Sequence, residues 1–183
     1  MRKWTILGSI TTLTLILDQL TKMWVVDNLQ LYESIQPIPA LAPWFQITHS
    51  TNTGAAFGIF PMAGNLIFIL SIGIVASMLW YFRETPIDAI FLPITIGMVI
   101  GGALGNLIDR IQHGHVIDFI HYQIPNVISN VSNIADHAVV LGVMLIIGES
   151  LWRDYREKQH VQVTESVDSV TGQTPSAESA PLE

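Results

Sequence analysis

Four stretches of the chain, at about 4–26, 66–82, 89–108 and 134–152, run through apolar residues almost without interruption, and polar residues collect between them. A bilayer core needs roughly 20 consecutive apolar residues per crossing helix, so the pattern predicts four transmembrane helices. The first and last stretches carry polar residues inside them, whereas the middle two are close to pure hydrocarbon. Residues 27–61 contain Pro37, Pro39 and Pro43 and then the run Trp44-Phe45-Gln46-Ile47-Thr48. That β-rich run predicts a short strand in a small extracytoplasmic β platform lying on the membrane. A tight turn containing Pro86 joins the second and third stretches, and residues 111–132 return along the outer face. Beyond Lys158 the chain turns to Ser, Thr, Glu, Gln and Pro, with little to bury. Residues 159–183 are therefore expected to form a disordered cytoplasmic tail, and residues 1–158 the membrane domain.

Composition makes the class explicit. Half of the 183 residues are hydrophobic and 13% are charged, too apolar for a soluble domain of this length. The expectation is an all-α membrane protein, a four-helix bundle with the small β platform. Six of the eight cationic residues (Arg2, Lys3, Arg83, Arg153, Arg156 and Lys158) fall on one side of that arrangement. The excess of Lys and Arg marks the cytoplasmic side, so both termini are expected inside. Trp4, Trp80 and Trp152 fall at the inner interface and Trp24 at the outer, as an aromatic belt does. The start of the chain resembles a secretory signal, but no small-residue cleavage site follows and the apolar run resumes at Met23 to Val26. It reads as a retained first helix. With no cysteine, the chain has no disulfide, thiolate nucleophile or Cys-based metal site.

Against this background the acids matter. Asp109, Asp118 and Asp136 all fall where the apolar stretches meet the outer face, and Asp18 and Asn106 lie near that depth. A charged group in or beside hydrocarbon is costly unless paired or used, which makes these residues functional candidates. Gly97, Gly101 and Gly105 repeat every four residues on one face of the third stretch, a spacing that lets another helix approach closely. Asn106, Asp109 and Arg110 follow on one flank, where capping and anchoring the helix is the simpler reading. Asp118 sits between Ile117 and Phe119, where desolvation would raise its pKa, although an exposed loop acid fits the same pattern. Asn133 is placed as the N-cap of the fourth helix, and an acid three residues on, Asp136, suits the helix N-terminus for structural reasons alone. Together, two carboxyls with oppositely biased environments supply an acid and a base, as paired aspartates do when they activate water.

Five segments in order carry a specific resemblance: Asp18-Gln19-Leu20-Thr21-Lys22; Asn52-Thr53-Gly54-Ala55-Ala56-Phe57-Gly58; the run 101–110 ending Asn106-Leu107-Ile108-Asp109-Arg110; Val116-Ile117-Asp118-Phe119-Ile120; and Asn133-Ile134-Ala135-Asp136. This set resembles the motifs of the bacterial lipoprotein signal peptidases (signal peptidase II), from about residue 4 to about residue 152. The resemblance implies an aspartyl endopeptidase of the inner membrane that removes the signal peptide of diacylglyceryl-modified prolipoproteins just before the lipidated cysteine, at the outer face. It implies Asp118 and Asp136 as the catalytic pair, with Asn52, Asn106, Asp109, Arg110, Asn133 and Asp18 around them. The implied partners are the lipidated precursor and membrane lipid, with no nucleic acid, cofactor or metal. Ser132 stands where the family usually has Phe, and the tail is long for the family.

Three other chemistries are weaker. A proton-coupled transporter places acids along a route or at the midplane, and here the inner half of every stretch lacks them apart from Glu149 near the inner end of the fourth. A metal site would draw on His113, His115 and His121 with Asp118, but no His-Glu-X-X-His is present. A Ser-Lys peptidase needs a neutral lysine, and Lys22 has Asp18 at i−4 to keep it charged.

Overall fold

The computed structural model describes residues 2–54, 63–84, 90–124 and 127–171. Helices α1 (Arg2–Asn28), α2 (Ala63–Arg83), α3 (Phe91–His113) and α4 (Ile134–Thr171) are joined by two pairs of strands, β1 (Ser34–Ile35) and β2 (Phe45–Asn52) between α1 and α2, and β3 (Val116–Ile124) and β4 (Ile128–Ser132) between α3 and α4. The strands form one sheet in the order β1-β2-β3-β4, every neighbouring pair antiparallel. Among the described residues, Phe91–His113 and Ile134–Gln159 are long and apolar enough to cross a membrane, and Ile69–Trp80 is a shorter apolar stretch. Helix α1 is more polar and buries three charges, Lys3, Asp18 and Lys22.

The glycine stripe does what its spacing suggested. A Cβ on Gly97 would sit 2.9 Å from Ile10 Cβ, and one on Gly101 would sit 2.7 Å from Thr14 Cβ and 2.8 Å from the Thr11 carbonyl oxygen. One on Gly105 would collide with the Asp18 carboxylate. The three glycines thus bring α1 onto α3 along two turns, ending at the acid-bearing level. Gly102, on another face, meets the Ala135 carbonyl and Val139, so α3 is in close contact with α1 and with α4 at once. At the opposite end of α1, Lys3 Nζ donates to the carbonyls of Phe82 and Arg83 at 3.3 and 3.0 Å, capping the last turn of α2.

The sheet covers the end of α1. Val25, Leu29 and Phe119 form a buried cluster flanked by Ile35, Ile47, Ile120 and Ile134. β2 includes the strand expected at Trp44 to Thr48 and continues to Asn52. β3 and β4 occupy the segment read only as returning along the outer face. Ile47 pairs with Ile120 and Ser50 with Asp118, so β2 holds one extra residue between these pairs. Such a bulge increases local twist and re-aims side chains, here beside Asn52 and Asp118. Ser132 pairs with Ile120, and its hydroxyl reaches the Ile120 carbonyl at 3.5 Å.

The chain divides into two compact units, Met1–Met144 and Leu145–Glu183, and all residues of the site described below belong to the first. In the second unit α4 continues through Thr171, so helix extends into the segment expected as a disordered tail; residues 172–183 lie outside the described residues. The expected turn at Pro86 and the Ala55 to Gly58 part of the second motif also lie outside them.

Close helix contact gives a direct test. Gly101→Ala places a methyl against the Thr11 backbone carbonyl, which cannot rotate away, and should cost about 1–3 kcal/mol as other overpacked sites do. Gly8→Ala, with nothing within 4 Å, should be neutral or slightly stabilising through helix propensity. Thermal unfolding of the two variants in detergent measures the difference, and equal midpoints would mean that α1 and α3 are not in this register.

Candidate active site

Two loop-to-helix transitions build the site. α3 ends at Gly114, whose φ of 76° is the left-handed conformation that suits glycine, and whose N–H donates to the Arg110 carbonyl at 3.1 Å. The chain then turns directly into β3, which places Asp118 close after the helix. α4 begins with Asn133, whose Oδ1 accepts the N–H of Asp136 at 2.9 Å. This is the N-cap expected from the sequence, and it holds Asp136 in the first helical turn.

Amides join the acids. Asn133 Nδ2 donates to Asp118 Oδ1 at 2.7 Å and to Asn106 Oδ1 at 3.1 Å. Asn106 Nδ2 in turn donates to Asp136 Oδ1 at 2.7 Å. Asp118 and Asp136 are therefore linked through two asparagines. Asn52 Nδ2 donates to the other Asp118 oxygen at 3.0 Å. That contact follows from register, because Asn52 pairs with Val116 and so lies diagonally from Asp118 on the same face of the sheet.

A second shell of charge lies beside this one. Lys22 Nζ is 2.8 Å from Asp18 Oδ2 and 2.7 Å from Asp109 Oδ2, and it donates to Asn106 Oδ1 at 3.1 Å. Asp18 Oδ1 accepts the Ala135 N–H at 2.9 Å, and Asp109 Oδ2 accepts the Ile117 N–H at 3.1 Å. Gln19 Nε2 reaches Asp109 Oδ1 at 3.0 Å and Asp18 Oδ2 at 3.2 Å. Arg110 Nη1 donates to the Asn106 carbonyl at 3.1 Å, while its buried Nε has no hydrogen-bond partner among the described residues. All eight residues singled out in the sequence as catalytic or supporting thus belong to one connected region. Gln19 and the second carboxylate partner of Lys22 were not foreseen; the one available signal was that two outer acids shared a single outer lysine.

Asp118 is 2% exposed. Burial pushes its carboxyl up to about 6, and the neighbouring Asp136 charge adds to the effect, while the amides of Asn52 and Asn133 and the charge of Lys22 work against it. Asp136 and Asn52 line a cavity of about 600 Å³ whose other walls include Val131, Val140, Leu141 and Met144. Val140, Leu141 and Met144 follow Asp136 by four, five and eight residues, so one flank of α4 descends from the acid as an apolar track. Tyr122 and His137 close part of the rim, Tyr122 Oη lying 3.3 Å from His137 Nε2. Since His137 Nδ1 is 2.7 Å from the Asn133 carbonyl, which can only accept, the proton sits on Nδ1 and Tyr122 donates to Nε2.

The histidines offered for a metal are otherwise engaged or apart. His121 Nδ1 is 3.1 Å from Thr48 Oγ1 and its Nε2 is 2.9 Å from Ser129 Oγ. The rings of His113 and His115 lie 5.9 Å apart. Among the described residues no three His, Asp or Glu side chains converge as a metal site would require.

The family model described as "Signal peptidase (SPase) II" matches residues 10–152, which contain the whole site. The chain belongs to the signal peptidase II family. Among its relatives, the lipoprotein signal peptidase of Alteromonas mediterranea is 39% identical over 142 residues, covering 75% of this chain and 76% of the relative. That of Shewanella oneidensis is 36% identical over 157 residues, covering 84% and 90%. A bacterial membrane enzyme solved by the in meso method superposes with a TM-score of 0.72 at 33% identity, covering 83% of this chain and 90% of that one. A second such structure gives the same TM-score and identity over 79% and 92%.

The raised Asp118 carboxyl has a signed consequence for stability. Its unfolded value is about 3.9. The folded form holds the proton to about 6, so its contribution is fully present below about pH 4 and is lost as pH rises through about 6. Asp118→Asn has no such titration. Its unfolding midpoint, relative to that of the parent chain, should therefore rise between pH 4 and pH 7. A difference independent of pH would mean that Asp118 ionises at its ordinary value.

Proposed function

We propose that the chain is a membrane-embedded aspartyl endopeptidase that cleaves the signal peptide from diacylglyceryl-modified prolipoproteins immediately before the lipidated cysteine. The observation that carries this reading is the pairing of a buried, proton-holding Asp118 with Asp136 through Asn133 and Asn106, beside a cavity with an apolar track. Family membership and the names of the relatives support the substrate class.

In this mechanism a water stands between the two acids. Asp136, ionised, takes a proton from the water as its oxygen attacks the scissile carbonyl carbon. Asp118, protonated, gives its proton to the carbonyl oxygen, so no isolated oxyanion forms. The tetrahedral diol then collapses: the carbon–nitrogen bond breaks, Asp136 returns its proton to the leaving amine, and a diol hydroxyl returns one to Asp118. Asn52 and Asn133 hold the Asp118 oxygens, and Asn106 aims Asp136. Asp18, Asp109 and Arg110 surround them. Water activation falls to carboxylates, and neither metal nor cofactor takes part.

Placement follows the charges. Helical spans at about 4–26, 66–82, 89–108 and 134–152, with the arginines and lysines of both termini in the cytoplasm, put the acids at the outer face of the inner membrane. A prolipoprotein presents its scissile bond at that depth, with an apolar signal helix that matches the Val140, Leu141 and Met144 track.

Mass spectrometry of a diacylated prolipoprotein peptide incubated with the purified chain in detergent tests the assignment. A single cut before the modified cysteine is expected, unaffected by EDTA. Asp118→Asn and Asp136→Asn should each lower turnover by at least roughly 10³-fold while remaining folded. Full activity in either variant would remove that residue from the pair, and loss with EDTA followed by recovery with zinc would return the chemistry to the histidines.

A further inference from the structure

The mechanism leaves a buried cation beside the site unused. Lys22 is 1% exposed and is enclosed by Asp18 and Asp109, at 0% and 1%. Its ammonium lies between two carboxylates and it does not line the cavity, so it is not a substrate contact. Wholesale replacement of such a buried ion cluster by neutral groups of similar size is often no loss to stability. Its presence calls for another account.

The connections of the cluster supply one. Asp18 ends on the N–H of Ala135, the residue immediately before Asp136. Asp109 ends on the N–H of Ile117, the residue immediately before Asp118. Lys22 joins the two carboxylates and also donates to Asn106, which donates to Asp136. The cluster therefore grips the backbone next to each acid, one on β3 and one on α4, and sets both from a single point on α1. Gln19 closes the same ring by donating to both carboxylates.

We infer that Lys22 is a positioning residue for the peptidase reaction: with Asp18 and Asp109 it fixes the separation of Asp118 and Asp136 through the backbone amides of Ile117 and Ala135. The inference rests on the proposed aspartyl mechanism. Water must be held between two carboxyls, and a displacement of about 1 Å at such a site costs on the order of 10² in rate. The effect is on the reaction step and not on substrate affinity, because none of Lys22, Asp18 and Asp109 lines the cavity.

The test uses the full chain in detergent with a diacylglyceryl lipopeptide, comparing the parent, Asp118→Asn and the neutral triple variant Asp18→Asn/Lys22→Met/Asp109→Asn. The triple variant is near-isosteric and leaves no uncompensated charge, so it should keep its unfolding midpoint within a few degrees. Its kcat should fall by roughly 10²-fold with KM within about twofold. A kcat within about threefold of the parent would reduce the cluster to packing, and a raised KM with kcat intact would make it part of substrate binding; either overturns the inference. If the triple variant does not fold, Asp109→Asn alone decides, since Asn keeps an oxygen for the Ile117 N–H and Asp18 still compensates Lys22. It should lose about tenfold in kcat at unchanged KM, and full kcat overturns the inference. If the parent itself does not cut the peptide, the peptidase reading fails; if it cuts while these variants keep full kcat, only the role of Lys22 fails.

Discussion

The side chain of Asn133 is the joint on which the rest of the site depends. It is fully buried. Its oxygen caps α4 by accepting the Asp136 N–H, and its amide nitrogen donates to Asp118 and to Asn106. One residue therefore starts the helix that bears one acid, holds the other acid, and orients the amide between them. No other residue type with so short a side chain both donates and accepts at the required angles. Aspartate would keep the cap but set a second negative charge against Asp118. Serine would keep the cap but reach neither Asp118 nor Asn106.

Around that joint the chain buries more charge than stability calls for. Lys22, Asp18 and Asp109 are almost wholly enclosed, and a buried ion pair is weak evidence for stability because desolvation offsets much of the Coulomb attraction. The Nε of Arg110 is buried without a hydrogen-bond partner among the described residues, a further cost of the kind that native structures keep near sites of function. Asp118 shows the same tension. Two donors favour its anion, yet burial outweighs them and leaves the proton in place up to about pH 6. A carboxyl that is hydrogen-bonded and yet titrates near 6 suits an acid that must give its proton to a carbonyl oxygen and then recover it.

Much of this was legible in the sequence, and the exceptions have physical reasons. The glycine stripe predicted that another helix would approach α3 closely, though not that it would be α1, because small residues four apart leave a groove whatever the partner helix. The cap at Asn133 was visible because capping is local, acting over three residues. β3 and β4 were not visible: Val116, Ile117, Phe119 and Ile120 surround a single acid, and a buried strand with both faces covered lacks the alternation that marks a half-exposed one. The second partner of Lys22 was hidden because i,i+4 spacing points only to Asp18, whereas Asp109 arrives from another helix. The helix beyond Gln159 runs against composition, since the sequence there offers little apolar surface to bury.

Why the site lies where helices end follows from the solvent. Hydrocarbon offers no partner for a free N–H or C=O, so a spanning segment must satisfy its own backbone and has none left to give. Yet this site uses backbone amides at every turn: Ile117 and Ala135 bind carboxylates, the Asp136 N–H binds its cap, and β3 pairs with β2 and β4. Such groups are free at the first turn of α4 and in the sheet beyond the end of α3. In the proposed placement these coincide with the outer interface, the one depth at which water for hydrolysis and an apolar track for the signal helix are both within reach of Asp136. The same constraint explains why the ion cluster comes from within α1 and α3. In the proposed placement, side chains on continuous helix reach outward to the free amides, and the hydrocarbon-facing backbone below them stays fully bonded.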